Sequence, residues 1–232
     1  LYSLTAPPLA RNRPARVASI SARIKQPQYP KITTHRGLLT EDMARRLLAA
    51  GLDPLTRSVP SITPATDRHI MHLSLERTLK NIDSFLDLKE KGGYRRPRLE
   101  IVTVDSIQTH AELPEMRRYW QMRNIKLHIE PVENRIDHTE IRQSAVGTGR
   151  LVPFTWCRRL MEQIFVLYDG RMILCCSDWE QQSFMGDLTR ERIADIWQGA
   201  RYAEYRRRFA DGNIEGMICS GCRKQAPSEY PE

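Results

Sequence analysis

The sequence predicts an α/β protein in two parts, a parallel sheet with its helices followed by a small unit clamped by sulfur. Three observations carry this. From residue 31, apolar runs of strand length alternate with segments of helical periodicity. After residue 145 that alternation gives way to a hairpin signal, Asp169-Gly170. Cys157, Cys175, Cys219 and Cys222 fall at the start, hairpin and end of this second stretch.

In the first part, Ile32-Thr33-Thr34 reads as a short strand. Thr40 then caps a helix whose Met43, Ala44, Leu47 and Leu48 share one face, with Gly51 as its stop. Leu55 to Val59 reads as a second strand, followed by a loop containing Pro and Ser and a long helix near Leu75 to Lys91. Leu79, Ile82, Phe85 and Leu86 lie at helical spacing there, and Gly92-Gly93 ends the helix. Leu99 to Val104 is the clearest strand, Glu112 to Arg123 is helical, and Ile125 to Val132 alternates as a strand. Strands separated by helices pair in parallel.

In the second part, Gln163 to Tyr168 and Arg171 to Cys175 flank the Asp169-Gly170 turn. Two helices follow, one through Ile193, Ile196 and Trp197, the other through Tyr202, Tyr205, Arg206 and Phe209, with Gly199 and Gly212 as stops. The expected divisions are residues 1–30, irregular, basic and rich in proline; 31–145, the sheet; 150–224, the sulfur-clamped unit; and 225–232, a tail.

Composition bounds the function. The chain of 232 residues is 41% hydrophobic, enough for a true core, and no apolar run approaches membrane-spanning length. Its net charge of +8 is confined to one segment. Residues 1–40 hold seven cations and no acid, which leaves 29 basic against 28 acidic residues elsewhere. This argues against a nucleic-acid face and for no membrane partner. The Arg- and Ser-bearing start resembles a transit peptide, but a chain beginning at Leu1 suggests a fragment, and the expected location is cytoplasmic. Five cysteines without an apolar leader do not make a secreted disulfide scaffold.

Two residues between Cys219 and Cys222 let both thiolates face one ion or cluster, and two distant cysteines complete a sulfur tetrad suited to zinc or iron–sulfur. Cys176 would point to the opposite face of a strand from Cys175 and is expected to be a buried small hydrophobe. Ordinary packing is expected of Trp179, and a solvated helix face of Arg206-Arg207-Arg208. The six histidines show no ligand spacing toward the cysteines.

The order Cys157, Gly170, Cys175, Gly186-Asp187, Ile193 to Trp197, Tyr202, Arg206, Cys219-x2-Cys222 resembles the SPASM/twitch extension of radical SAM enzymes over about residues 154–224. The intermediate cysteines of full SPASM domains are missing, so the resemblance is to the shorter, one-cluster version. Ile32 to Thr40 is similar to the third barrel strand and its turn, with His35-Arg36 in place of Asn, and Arg57-Ser58-Val59 to the fourth. The resemblance implies a partial (β/α)6 radical SAM barrel followed by a hairpin-plus-helices SPASM/twitch domain.

It further implies an auxiliary [4Fe–4S] cluster on Cys157, Cys175, Cys219 and Cys222, and S-adenosyl-L-methionine (SAM) contacts at Ser58, Thr33 and Thr34. SAM and a second [4Fe–4S] cluster belong only to an intact protein, because no cysteine precedes Cys157 to form the Cys-x3-Cys-x2-Cys loop. The implied activity is that of an oxidoreductase or maturase using a 5′-deoxyadenosyl radical, with a small-molecule or peptide substrate and a reductant protein as partners. This chain alone is expected not to cleave SAM. The alternative is a non-catalytic zinc- or cluster-binding interaction module.

Overall fold

The structure, a computed structural model, describes residues 32–34, 39–50, 53–72, 74–133, 141, 143–146, 151–153 and 156–225. The segment 1–30, the turn after Thr34, Gly51, His138 and the end of the tail lie outside the described residues. The chain divides into two compact units, with the break between Pro131 and Val132.

The first unit is built of β1 (Ile32–Thr34), α1 (Glu41–Ala49), β2 (Leu55–Ser58), α2 (Pro64–Met71), α3 (Leu75–Lys91), β3 (Leu99–Asp105), α4 (Leu113–Met122) and β4 (Lys126–Pro131). The strands form one sheet in the order β1-β2-β3-β4, every pair parallel, with Ile32 opposite Leu55 and Leu55 opposite Leu99. Sequential order with helical crossovers is the arrangement that parallel pairing of alternating elements requires.

The helices start where their caps dictate. The Thr40 hydroxyl accepts from the Met43 backbone N at 3.4 Å, and the Ser74 hydroxyl from that of Arg77 at 3.2 Å. Glu41 and Asp42 add negative charge to the first turn of α1. Met43, Leu47, Ile82, Phe85, Met116 and Trp120 bring the helices' apolar faces against Leu55, Val59, Leu99 and Ile101 in one buried cluster. The alternate strand positions are polar, with Thr56 beside Glu100 and His128 Nε2 3.0 Å from Glu100 Oε2. The loop expected after β2 contains the helix α2, which Pro64 starts at its first position.

The second unit comprises β5 (Leu151–Pro153), α5 (Arg158–Glu162), β6 (Phe165–Val166), β7 (Arg171–Ile173), β8 (Phe184–Asp187), α6 (Ile193–Gln198), α7 (Ala200–Ala210) and β9 (Arg223–Gln225). Strands β6, β7 and β8 form an antiparallel sheet in sequence order. Gly170, at φ +96, turns the first hairpin in a conformation that other residues rarely adopt. Gly186 in β8 lets α6 close on the sheet, since a Cβ there would lie 2.7 Å from Ile196 Cγ1. The core here is small: Leu160, Met172, Leu174, Met185, Ile196, Tyr202 and Phe209. Strands β5 and β9 pair antiparallel, Pro153 opposite Arg223, and so bring the unit's two ends together. Neither β5, β8, β9 nor α5 is evident from periodicity, because each spans five residues or fewer.

Candidate metal centre

The β5–β9 pairing determines where the cysteines meet. Cys222 directly precedes Arg223 of the pair, and Cys157 follows Pro153 by four positions as the N-cap residue of α5. Cys219 and Cys222 occupy a tight turn formed by a 3₁₀ segment, Ile218–Gly221, with the Cys222 backbone N–H donating to the Cys219 carbonyl at 3.1 Å. Cys175 lies just past the end of β7. Cys157, Cys175 and Cys219 all pack against the same small core, half-buried.

The four thiols share one electrostatic environment. Burial, then the charges of Cys157, Cys222 and Cys175, push the Cys219 thiol up to about 12. Burial, with Cys175 and Cys157, pushes Cys222 up to about 11. Cys175 moves the other way. A hydrogen bond from the Cys176 thiol, joined by the Ser177 backbone N–H and the Arg159 charge, pulls it down to about 6 against the effect of burial.

Among the described residues, no three His, Cys, Asp or Glu side chains converge closely enough to hold a single metal ion. Thiolates around one zinc sit about 2.3 Å from it. A cuboidal four-iron cluster takes one thiolate at each corner and holds its sulfurs further apart than one ion does. Four thiols near enough to influence one another fit an iron–sulfur cluster in donor chemistry.

A layer of polar groups surrounds Cys175. Arg159 Nη1 lies 3.9 Å from Cys175 Sγ and 2.6 Å from Ser177 Oγ, and it pairs with Glu133. Ser177 Oγ donates to the same Glu133 oxygen at 2.8 Å, and its backbone N–H points at Cys175 Sγ from 3.3 Å. None of Arg159, Ser177 and Glu133 is singled out by the sequence. Arg159 stands two residues after a cysteine, but Glu133 is far from any, and only the fold brings it there.

Several expectations require correction. Cys176 is exposed rather than buried. The chain has left the strand and turns at residues 176–177, so the free Cys176 thiol lies near enough to hydrogen-bond Cys175 instead of facing away from it. Trp179 is 65% exposed rather than buried. Asp178 is buried and closes the loop behind it, accepting from the backbone N–H groups of Gln182 at 3.0 Å and Ser183 at 2.7 Å. The arginine run is not one solvated face. Arg206 stacks 4.0 Å over the Trp197 ring and donates to the Trp197 and Leu160 carbonyls, while Arg207 pairs with Glu204 and Asp211.

Of the remaining candidates, Ser58 is the half-buried last residue of β2. Thr33 and Thr34 are on β1, opposite Thr56 and Arg57, and their side chains lie outside the described residues. These three belong to the first unit and the cysteines to the second.

Comparison with known proteins gives the class. Residues 157–223 match the SPASM model, described as an iron–sulfur cluster-binding domain. No curated protein matches the sequence. Among solved structures, the chain is similar to Streptococcus suis SuiB bound to precursor peptide SuiA, at TM-score 0.60 and 12% identity over 76% of this chain and 49% of that one. It is also similar to native anSMEcpe with bound AdoMet, at TM-score 0.54 and 11% identity over 76% of this chain and 58% of that one. At these identities the likeness establishes the fold, and the chain spans about half the length of these neighbours. Residues 157–223 thus match an iron–sulfur cluster-binding domain, and the fold of the chain is shared with SuiB and anSMEcpe. Among the described residues, no helix is long and apolar enough to cross a membrane.

Proposed function

We propose that this chain is the C-terminal part of a radical SAM oxidoreductase or maturase and that Cys157, Cys175, Cys219 and Cys222 hold an auxiliary [4Fe–4S] cluster. The observation that carries this reading is the sharing of one electrostatic environment by four thiols inside the matched SPASM segment. Strands β1 to β4 would then be the last four of a six-stranded barrel. Ser58, at the carboxyl end of β2, and Thr33 and Thr34 on β1 would contact SAM in the intact protein.

When bound, such a cluster supplies one-electron chemistry, accepting an electron from a substrate radical made by a 5′-deoxyadenosyl radical elsewhere in the intact enzyme. The chain's own contribution is positional. The β5–β9 pair and the Cys219–Cys222 turn hold three thiols near one another, and the turn after β7 presents the fourth. The small apolar core backs them and keeps water from one side. A small molecule or a peptide is the substrate class this reading implies, with a reductant protein as partner.

A second reading, a zinc- or cluster-binding interaction module, is favoured by one fact: residues 1–156 contain no cysteine to build a SAM-cleaving cluster. Anaerobic reconstitution separates the two. The first reading expects about four irons and four sulfides per chain, lost in Cys219→Ala and retained in Cys176→Ala. One zinc and no iron would establish the module instead. With SAM and a strong reductant the chain should form no 5′-deoxyadenosine, since four cysteines leave its cluster no open iron.

A further inference from the structure

At the Cys175 corner of the tetrad the fold supplies N–H donors. Its sulfur faces two N–H groups, the Ser177 amide at 3.3 Å and the Arg159 guanidinium at 3.9 Å. Arg159 is held in place rather than merely nearby. It sits in the first turn of α5, two residues after the ligand Cys157 that caps the helix, so the same turn positions both a ligand and a cation. Its guanidinium is fastened from the other side by Glu133, and Ser177 Oγ bridges the two, 2.6 Å from Arg159 Nη1 and 2.8 Å from Glu133 Oε1. The guanidinium is always charged, and its side chain is only 36% exposed, so solvent screens it less than a surface cation.

We propose that Arg159 sets the reduction potential of the cluster through Cys175, and that Glu133 is the counter-charge that positions it and limits its effect. This rests on the cluster reading above. Reduction adds one negative charge to the cluster and its thiolates. A fixed cation and N–H donors at a ligating sulfur stabilise that added charge and raise the potential, while a carboxylate beside the cation offsets part of the gain. Arg159 is thus a positioning and tuning residue, with no contact to substrate required. It matches the cluster's affinity for an electron to the donor that must release one.

The test is a potentiometric titration of the reconstituted full chain, followed by electron paramagnetic resonance, with iron and sulfide counted in each sample. Arg159→Met should lower the midpoint by an amount that shifts the reduced-to-oxidised ratio about tenfold at a fixed potential, about 59 mV for one electron. Arg159→Lys should recover more than half of that shift, because it keeps the charge and loses the fork. Glu133→Gln should move the midpoint the opposite way.

A full cluster in Arg159→Met with the wild-type potential overturns the proposal, and so does Glu133→Gln moving in the same direction as Arg159→Met. If Arg159→Met fails to hold a cluster, Glu133→Gln and Arg159→Lys decide, and an unmoved midpoint in Glu133→Gln sinks the idea. A wild-type chain that takes zinc and gives no iron–sulfur signal removes the cluster reading, and this inference with it. Equal potentials across intact clusters remove the inference alone.

Discussion

The two units of this chain solve the problem of stability differently. Among the described residues, the first buries sixteen apolar residues in one cluster spanning a parallel sheet and three amphipathic helices, and Leu55, Ile82, Phe85, Ile101, Met116 and Trp120 are fully buried in it. The second gathers seven, and half-buried cysteines line their margin. At about 25 cal/mol per Å² of apolar surface, the larger cluster contributes more to holding the first unit than the smaller one does to the second, whose many short strands and turns still have to be ordered. What the second has instead is four cysteines drawn from its two ends and its hairpin. As ligands of the proposed cluster they would close the loops that a core would otherwise have to close.

The largest effect should come from removing the metal. Anaerobic chelation of the reconstituted chain should abolish hydrogen-exchange protection across residues 156–225 while residues 39–131 keep theirs. Equal protection of both units after chelation would break the comparison, since it would make the small core self-sufficient. A core substitution tests the other side. Phe85→Ala, at a fully buried position on α3, should cost the first unit about 3–5 kcal/mol in denaturant unfolding. Cluster absorbance should persist where that unit has already melted, and simultaneous loss would mean that the two units unfold as one.

The smallest effect is a pH dependence of the metal-free chain. Cys219 and Cys222 rise from 9.0 to about 12 and about 11, so between about 9 and 12 the native thiols hold protons that the unfolded chain has lost. Stability of the second unit should therefore fall as pH rises through that window. Cys175, lowered from 9.0 to about 6, has the opposite sign: between about 6 and 9 the native state holds fewer protons, and stability rises with pH. The melting temperature of the metal-free second unit should peak near pH 9, and alkylation at pH 7 should reach Cys175 before Cys219 and Cys222. A flat profile with uniform labelling would remove the shared thiol environment on which the site is built.

The elements legible in the sequence are those with length and chemistry on their side. Thr40 marks the start of α1, the 3.6-residue spacing of Ile82 and Phe85 marks a buried face, and the run from Leu99 names β3 outright. The helix α2 is hidden because only Asp67 of its eight residues is buried, leaving no apolar stripe to read. Cys176 misled for a related reason. The two-residue alternation holds only inside a strand, and the chain turns immediately after Cys175.

By itself the sequence determined the longer strands and helices and their alternation, which implies a parallel sheet, together with the Asp169-Gly170 hairpin and the four cysteines with their Cys-x2-Cys turn, because each is marked by residues a few positions apart. Only the tertiary structure decided what surrounds those cysteines. Pro153 meets Arg223, Gly186 meets Ile196, and Glu133 holds Arg159 beside Cys175. These pairs are separated by ten to seventy residues, and nothing in local propensity links them. They form because closing the fold around one small core and one tetrad of thiols leaves each of them a single place to be.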